Sequence, residues 1–142
     1  MISQAICNSF KQGLLEGKFD FSSTTSQTFK IALYTSAANL SADTTAYTTA
    51  NESSGTGYTA GGKVLTISVH PTISLGVAYI NFANVTWTAT SLTARGALIY
   101  NVTRSNKSVA VLDFGSDKTF TSTSNTVTMP ANTATTALIR FP

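Results

Sequence analysis

The sequence predicts an all-β chain, an antiparallel β-sandwich with one short helix near its N-terminus. Two observations lead to this class. Hydroxyl residues, 25 Thr and 17 Ser, take the place of charged residues, which make up only 11% of the chain. Apolar and polar residues also alternate from residue 29 onward, in short segments separated by turn residues. This pattern is typical of a β-sandwich, and it leaves open whether the sandwich is a jelly roll. The length of 142 residues fits a single domain over positions 1–142.

A helix is predicted over residues 3–17. Ser3 is a suitable N-cap, and Ile6, Phe10 and Leu14 recur at every fourth position, as on one face of a helix. This apolar face is narrow, so it would cover one end of the sheet or lie against a neighbouring subunit. We therefore treat Ile6, Phe10 and Leu14 as candidate interface residues.

The β-sandwich is predicted over residues 29–142, where turn-forming residues such as glycine and serine separate the strand segments. His70 and Pro71 are expected to end one strand, and Asp113 to Asp117 are expected to form a turn. Strands are predicted at residues 29–34, 64–69, 77–82, 85–88, 97–100, 109–114, 119–121, 126–129 and 137–141, with a hairpin turn at 103–107.

A long polar stretch interrupts this pattern at residues 35–62. Its composition is that of turns and loops, and a loop of this length in a compact domain often marks a contact surface. Leu40, Tyr47 and Tyr58 lie in it at intervals. Aromatic anchors among small polar residues resemble interface hot spots, so these three are also candidate interface residues.

Catalytic and metal-binding patterns are weak throughout the chain. His70 is the only histidine, and it has no evident nucleophile or orienting carboxylate. Asp113, Ser116 and Asp117 could supply only a weak calcium site, because such a site needs several converging oxygens. The glycine-rich residues 57–63 match the spacing of a phosphate-binding loop, but Val64 stands where that loop needs a hydroxyl. We expect no enzymatic activity, no metal and no cofactor.

Charge and apolar patterning bear on the partners. The net charge of +3 comes from nine scattered cations, so no basic face for nucleic acid is expected. No apolar run reaches the 18 or so residues of a membrane span, and no signal peptide is evident. The single Trp87 alternates with Val85 and is expected in the core, with a sugar-stacking platform as the alternative.

Six segments of the chain form an ordered series: residues 7–17 (CNSFKQGLLEG), 29–36 (FKIALYTS), 51–63 (NESSGTGYTAGGK), 82–87 (FANVTW), 94–101 (ARGALIYN) and 109–115 (VAVLDFG). This series resembles a family of small proteins encoded among the virion genes of tailed bacteriophages and prophages. The resemblance covers almost the whole chain and is specific as a series.

The resemblance implies a non-enzymatic virion component. Because no signal peptide is evident, it is expected to be made in the host cytoplasm. The family is associated with capsid decoration, or cement, proteins at the capsid surface. The partners would then be the major capsid protein and further copies of the chain itself, with a homotrimer expected because quasi-three-fold lattice points are common docking sites. The alternative is a head or tail fibre component that contacts host glycans.

Overall fold

A computed structural model describes residues 1–88, 90–121 and 123–142. Its strands and single helix lie within these ranges and are mostly short. In chain order they are β1 (Ala5–Ile6), α1 (Asn8–Leu15), β2 (Phe29–Tyr34), β3 (Lys63–Val64), β4 (Ile67–Ser74), β5 (Val77–Phe82), β6 (Val85–Trp87), β7 (Leu92–Asn101), β8 (Lys107–Phe120), β9 (Asn125–Val127) and β10 (Ile139–Phe141).

The strands form three antiparallel sheets around one hydrophobic core. The largest sheet has the order β1-β8-β7-β2-β3, the second has β10-β5-β4, and β6 pairs with β9. The all-β, sandwich-like class with one short helix is therefore confirmed. The division of the described strands into sheets of five, three and two differs from the two-sheet arrangement of a jelly roll.

A row of buried phenylalanines holds the helix and the two larger sheets together. The ring centroids of Phe10 on α1 and Phe21 are 6.0 Å apart, those of Phe21 and Phe29 are 4.7 Å apart, and those of Phe29 and Phe82 are 5.7 Å apart. Phe29 belongs to the five-stranded sheet and Phe82 to the three-stranded sheet. Aromatic pairs at these distances contribute stability beyond that of burying their surface area. This row of rings therefore fixes how the helix and the sheets pack.

The helix is shorter than the predicted 3–17, because the residues before it pair with strands. The N–H of Ser3 donates to the carbonyl of Leu40 at 2.8 Å, and Ala5 of β1 lies opposite Val111 of β8. This pairing satisfies backbone groups at the edge of β8. The N-cap is Cys7, not Ser3, and its side chain makes no capping hydrogen bond.

The predicted helical stripe is consequently divided between two elements. Ile6 lies in β1, whereas Phe10 and Leu14 lie on α1. Phe10 is completely buried, and Ile6 and Leu14 pack partly buried against the core.

Two predicted breaks fall inside strands. β4 continues through His70 and Pro71 to Ser74, because β4 is an edge strand, where a proline without an N–H is tolerated, and its pairing shifts register nearby. Likewise, the expected turn from Asp113 to Asp117 is a bulge within β8. The register passes from Gly96 opposite Asp113 to Ala94 opposite Lys118.

The hairpin predicted at residues 103–107 is confirmed. β7 and β8 pair antiparallel from Asn101 opposite Lys107 onward. In the connecting turn, Ser105 and Asn106 both adopt left-handed backbone conformations, with φ of 55° and 59°.

A first prediction concerns Gly62, which lies before β3. It has φ of +74°, and an added Cβ would lie 1.8 Å from the carbonyl oxygen of Ile31 on β2. Gly17 has a similar φ of +70° but open space around it. We expect Gly17→Ala to lower the free energy of unfolding by about 1 kcal/mol, the cost of the left-handed conformation alone. Gly62→Ala should cost at least about 2 kcal/mol more, because the backbone of β2 must move.

Chemical denaturation of the two variants and the parent chain measures this difference. Equal losses for the two alanines would show that β2 and β3 separate without cost at this position.

Candidate functional site

Glu52 is the centre of the polar segment 35–62. Its carboxylate accepts hydrogen bonds from the hydroxyl of Tyr47 at 2.6 Å, the hydroxyl of Tyr58 at 2.7 Å and the backbone N–H of Gly61 at 2.7 Å. Tyr58 in turn accepts the N–H of Leu33 at 2.9 Å. The segment is therefore attached to β2 through an ordered polar network.

Two further tyrosines complete this cluster. Tyr100 of β7 stacks on Tyr47 with ring centroids 4.7 Å apart, and its hydroxyl donates to the carbonyl of Gly61 at 2.7 Å. Tyr34 of β2 donates to the carbonyl of Thr48 at 2.5 Å. The phenols act as internal cross-links between the segment and the main sheet.

Burial raises the pKa of all four phenols. Desolvation is the main cause, and it raises the pKa of Tyr100 to about 12. The pKa values of Tyr34, Tyr47 and Tyr58 rise further, and the nearby negative charge of Glu52 adds to the increase. Each phenol therefore stays protonated, and keeps donating its hydrogen bond, to a higher pH than an exposed tyrosine does.

The candidate interface residues of the segment thus point mainly inward. Tyr47 and Tyr58 are half-buried, and Glu52 binds both of their hydroxyls. Leu40 is only 2% exposed and lies beside Ile2, with which it forms a parallel bridge. In this conformation, Leu40 and Phe10 are core residues and offer no surface to a partner.

The sparse chemical candidates remain separate from one another. His70 is within hydrogen-bonding distance, 2.8 Å, of the carbonyl of Phe21, and Asp113 accepts the Nε–H of Arg95 at 2.9 Å. Among the residues that the structure describes, no three His, Cys, Asp or Glu side chains gather as a metal site requires. Trp87 is 1% exposed, in agreement with its predicted place in the core.

The three-stranded sheet carries an apolar face that begins in the core and ends in solvent. Ile73, Ala78 and Phe141 form one row across its three strands, so their side chains share a face. Ile73 is 75% exposed and Phe141 is 53% exposed. Two residues further along β5, Ile80 and its partner Ile139 are buried. We call this surface the apolar sheet face.

A hollow of about 180 Å³ opens where the apolar sheet face meets the helix. We call it the apolar hollow. The side chains around it include Leu14, Phe21, Pro71, Ile80, Ile139 and Phe141. Leu14, a candidate interface residue on α1, thus borders an exposed apolar surface that no other strand of the described chain covers.

A second concave surface is basic. A groove of about 400 Å³ lies between α1 and the β7–β8 turn, and Lys18, Arg104 and Lys107 line it. The Nε–H of Arg104 donates to the carbonyl of Lys18 at 2.6 Å. Glu16 is the acidic residue of this basic groove, and it forms an ion pair with Lys18. The fold thereby brings together cations that are far apart in the sequence.

Comparisons with protein-family models, curated proteins and solved structures find no match. Within the described parts of the chain, no helix is both long and apolar enough to cross a membrane. The function therefore has to be argued from the surfaces described above and from the resemblance of the sequence.

A second prediction distinguishes the two tyrosines that bind Glu52. Tyr58→Phe removes a donor to Glu52 and also leaves the N–H of Leu33 without its acceptor, whereas Tyr47→Phe removes only a donor. We expect losses of about 2–3 kcal/mol for Tyr58→Phe and about 1 kcal/mol for Tyr47→Phe. Tyr79→Phe on β5, outside the cluster, is the control and should change stability by less than about 0.5 kcal/mol.

Urea unfolding of the three variants provides the measurement. A Tyr58→Phe variant as stable as Tyr79→Phe would show that water replaces the lost contacts and that the cluster is not structural.

A third prediction concerns alkaline pH. The four clustered phenols are among five tyrosines in the chain. Their pKa values are raised on folding, so the stability that the cluster contributes is complete below pH 10, the ordinary pKa of a phenol. It is lost as the pH rises through the raised values. Just above pH 10, the folded chain should show much less ultraviolet phenolate absorbance than the urea-unfolded chain. Identical titration curves would contradict burial of these hydroxyls.

Proposed function

We propose that the chain is a structural protein of a tailed-bacteriophage particle, a capsid decoration protein that binds the major capsid protein and further copies of itself. The observation that carries the proposal is the apolar sheet face, where Ile73 and Phe141 stay exposed on a surface that continues the core. Exposed apolar patches rimmed by polar residues are a recognised mark of protein–protein contacts.

The composition of the remaining surface supports an assembly role. Only 11% of the residues are charged, and threonine and serine predominate. Hydroxyls cost less to desolvate than ionised groups, so such a surface can dock on a lattice at low cost. Modest contacts repeated over many symmetric copies then add up through multivalency.

The basic groove supplies a contact of different chemistry. Lys18, Arg104 and Lys107 suit an acidic segment of a partner such as the capsid lattice. Glycan binding by a fibre component finds less support, because Trp87, its candidate stacking platform, is buried.

A fourth prediction follows for the particle. When the gene is expressed from its own phage genome with an affinity tag, the chain should copurify with particles. A cryo-EM difference map against particles that lack the chain should show density on the head surface, and the particles without it should lose DNA at lower temperature. Density on the tail, or no density, would overturn the proposal.

The same particles test the basic groove. Lys107 and Lys118 lie on the same strand, β8, but only Lys107 lines the groove. Lys107→Glu should release the chain from particles at lower salt than the parent, whereas Lys118→Glu should behave like the parent. Equal release of the two variants would exclude the groove as the capsid contact.

A further inference from the structure

The tip of the β4–β5 hairpin holds a leucine in an unfavourable place. Leu75 and Gly76 form the two-residue connection, with φ of 52° and 76°. Positive φ at both positions is the geometry of a type I′ turn, which favours asparagine or glycine at the first position. Leucine has no side-chain polar group to compensate for this backbone conformation.

Leu75 is also 87% exposed. An asparagine at this position would relieve the backbone and remove the exposed apolar surface at once. Strain and exposure in one side chain are typical of a residue kept for contact with a partner. These two features of Leu75 indicate a side chain that binds in an apolar pocket.

The apolar hollow is such a pocket. Its volume is about 180 Å³, and removal of one leucine side chain from a protein core leaves a cavity of about 150 Å³. The tip and the hollow belong to the same hairpin but lie apart along it. From Leu75 to Ile80 the strand extends roughly 15 Å, so the leucine cannot enter the hollow of its own chain.

We propose that Leu75 of one copy inserts into the apolar hollow of a second copy. This inference deepens the proposed function by naming the contact between copies. Two hairpins that lie antiparallel, with their apolar sheet faces together, place each tip over the hollow of the other in a reciprocal contact.

Charge favours a second copy as the occupant. The row Ile73, Ala78 and Phe141 carries no charge, and the cationic Arg140 lies in the neighbouring row, on the opposite face of the sheet. A neutral apolar surface matches another surface of the same kind, and each further copy presents one. A lipid surface would instead gain from cations beside the apolar tip.

The size of the face sets the strength of the contact. Three strands at about 4.8 Å spacing, the longest of them with eight residues, give a face well below the roughly 800 Å² per partner of a standard interface. The association should therefore be weak and concentration-dependent in solution.

Sedimentation velocity of the full chain over a concentration series tests the proposal. The parent should show concentration-dependent association, and Leu75→Asn should weaken it by about tenfold or more, the effect of leaving one leucine unburied. Thermal unfolding of Leu75→Asn at a concentration where the parent is monomeric should give an equal or higher Tm. The matched control is Leu15→Asn, which removes a leucine of 91% exposure at the end of α1, and it should associate like the parent.

A second variant tests the hollow itself. Ala78→Glu places a charge at its rim and should also prevent association, with folding checked by circular dichroism. Leu75→Asn keeps an intact hollow and Ala78→Glu keeps an intact leucine, so their equimolar mixture should regain part of the association.

Three results would overturn the proposal. One is a parent that stays monomeric at every concentration. Another is an equal effect of Leu75→Asn and Leu15→Asn. The third is flotation of the parent with vesicles of neutral phospholipid that Leu75→Asn abolishes, which would make lipid the occupant. These measurements use the isolated chain, so they fail or succeed independently of the particle experiment.

Discussion

The carboxylate of Glu52 organises the part of the molecule that has the least regular structure. It accepts two phenolic hydroxyls and one backbone N–H, and those phenols belong to a cluster that also includes Tyr34 of β2 and Tyr100 of β7. A segment without long strands would otherwise lose much conformational entropy on ordering with little compensation. Here the hydrogen bonds to a charged acceptor, which are stronger than neutral ones, keep the segment on the main sheet.

This constraint leaves contact with partners to other parts of the surface. With the tyrosines engaged internally, exposed large apolar side chains lie elsewhere: Ile73 and Phe141 are in the three-stranded sheet, and Leu75 is in the turn of its β4–β5 hairpin. The basic groove opens beside α1 and the β7–β8 turn. The molecule therefore presents an apolar and a basic surface that differ in chemistry, and the proposed assembly role uses both of them.

The sequence pattern predicted correctly those elements that contacts between neighbouring residues determine. The alternation around residues 29–34 and the turn residues between β7 and β8 were sufficient for β2 and for the hairpin. The start of the helix was predicted wrongly because its first residues pair with β8, about which a local pattern carries no information. The turn expected at Asp113 became a bulge for the same reason, since β7 is long enough to pair on both sides of it.

The candidate site depended even more on distant contacts. An exposed tyrosine anchor and a tyrosine bound to Glu52 have the same sequence signature, so Tyr47 and Tyr58 could not be assigned from composition. The basic groove joins Lys18 to Arg104 through the fold alone. One local signal for the proposed apolar contact was present, since Leu75-Gly76 separates two strand-like segments and sets an apolar residue where a polar turn residue is usual.

The pairing of Ala5 with Val111 has a consequence for synthesis on the ribosome. Ala5 leaves the ribosome 106 residues before its partner Val111, so β1 stays unpaired until β8 has been synthesised. Contacts of such high sequence separation also slow folding of the complete chain.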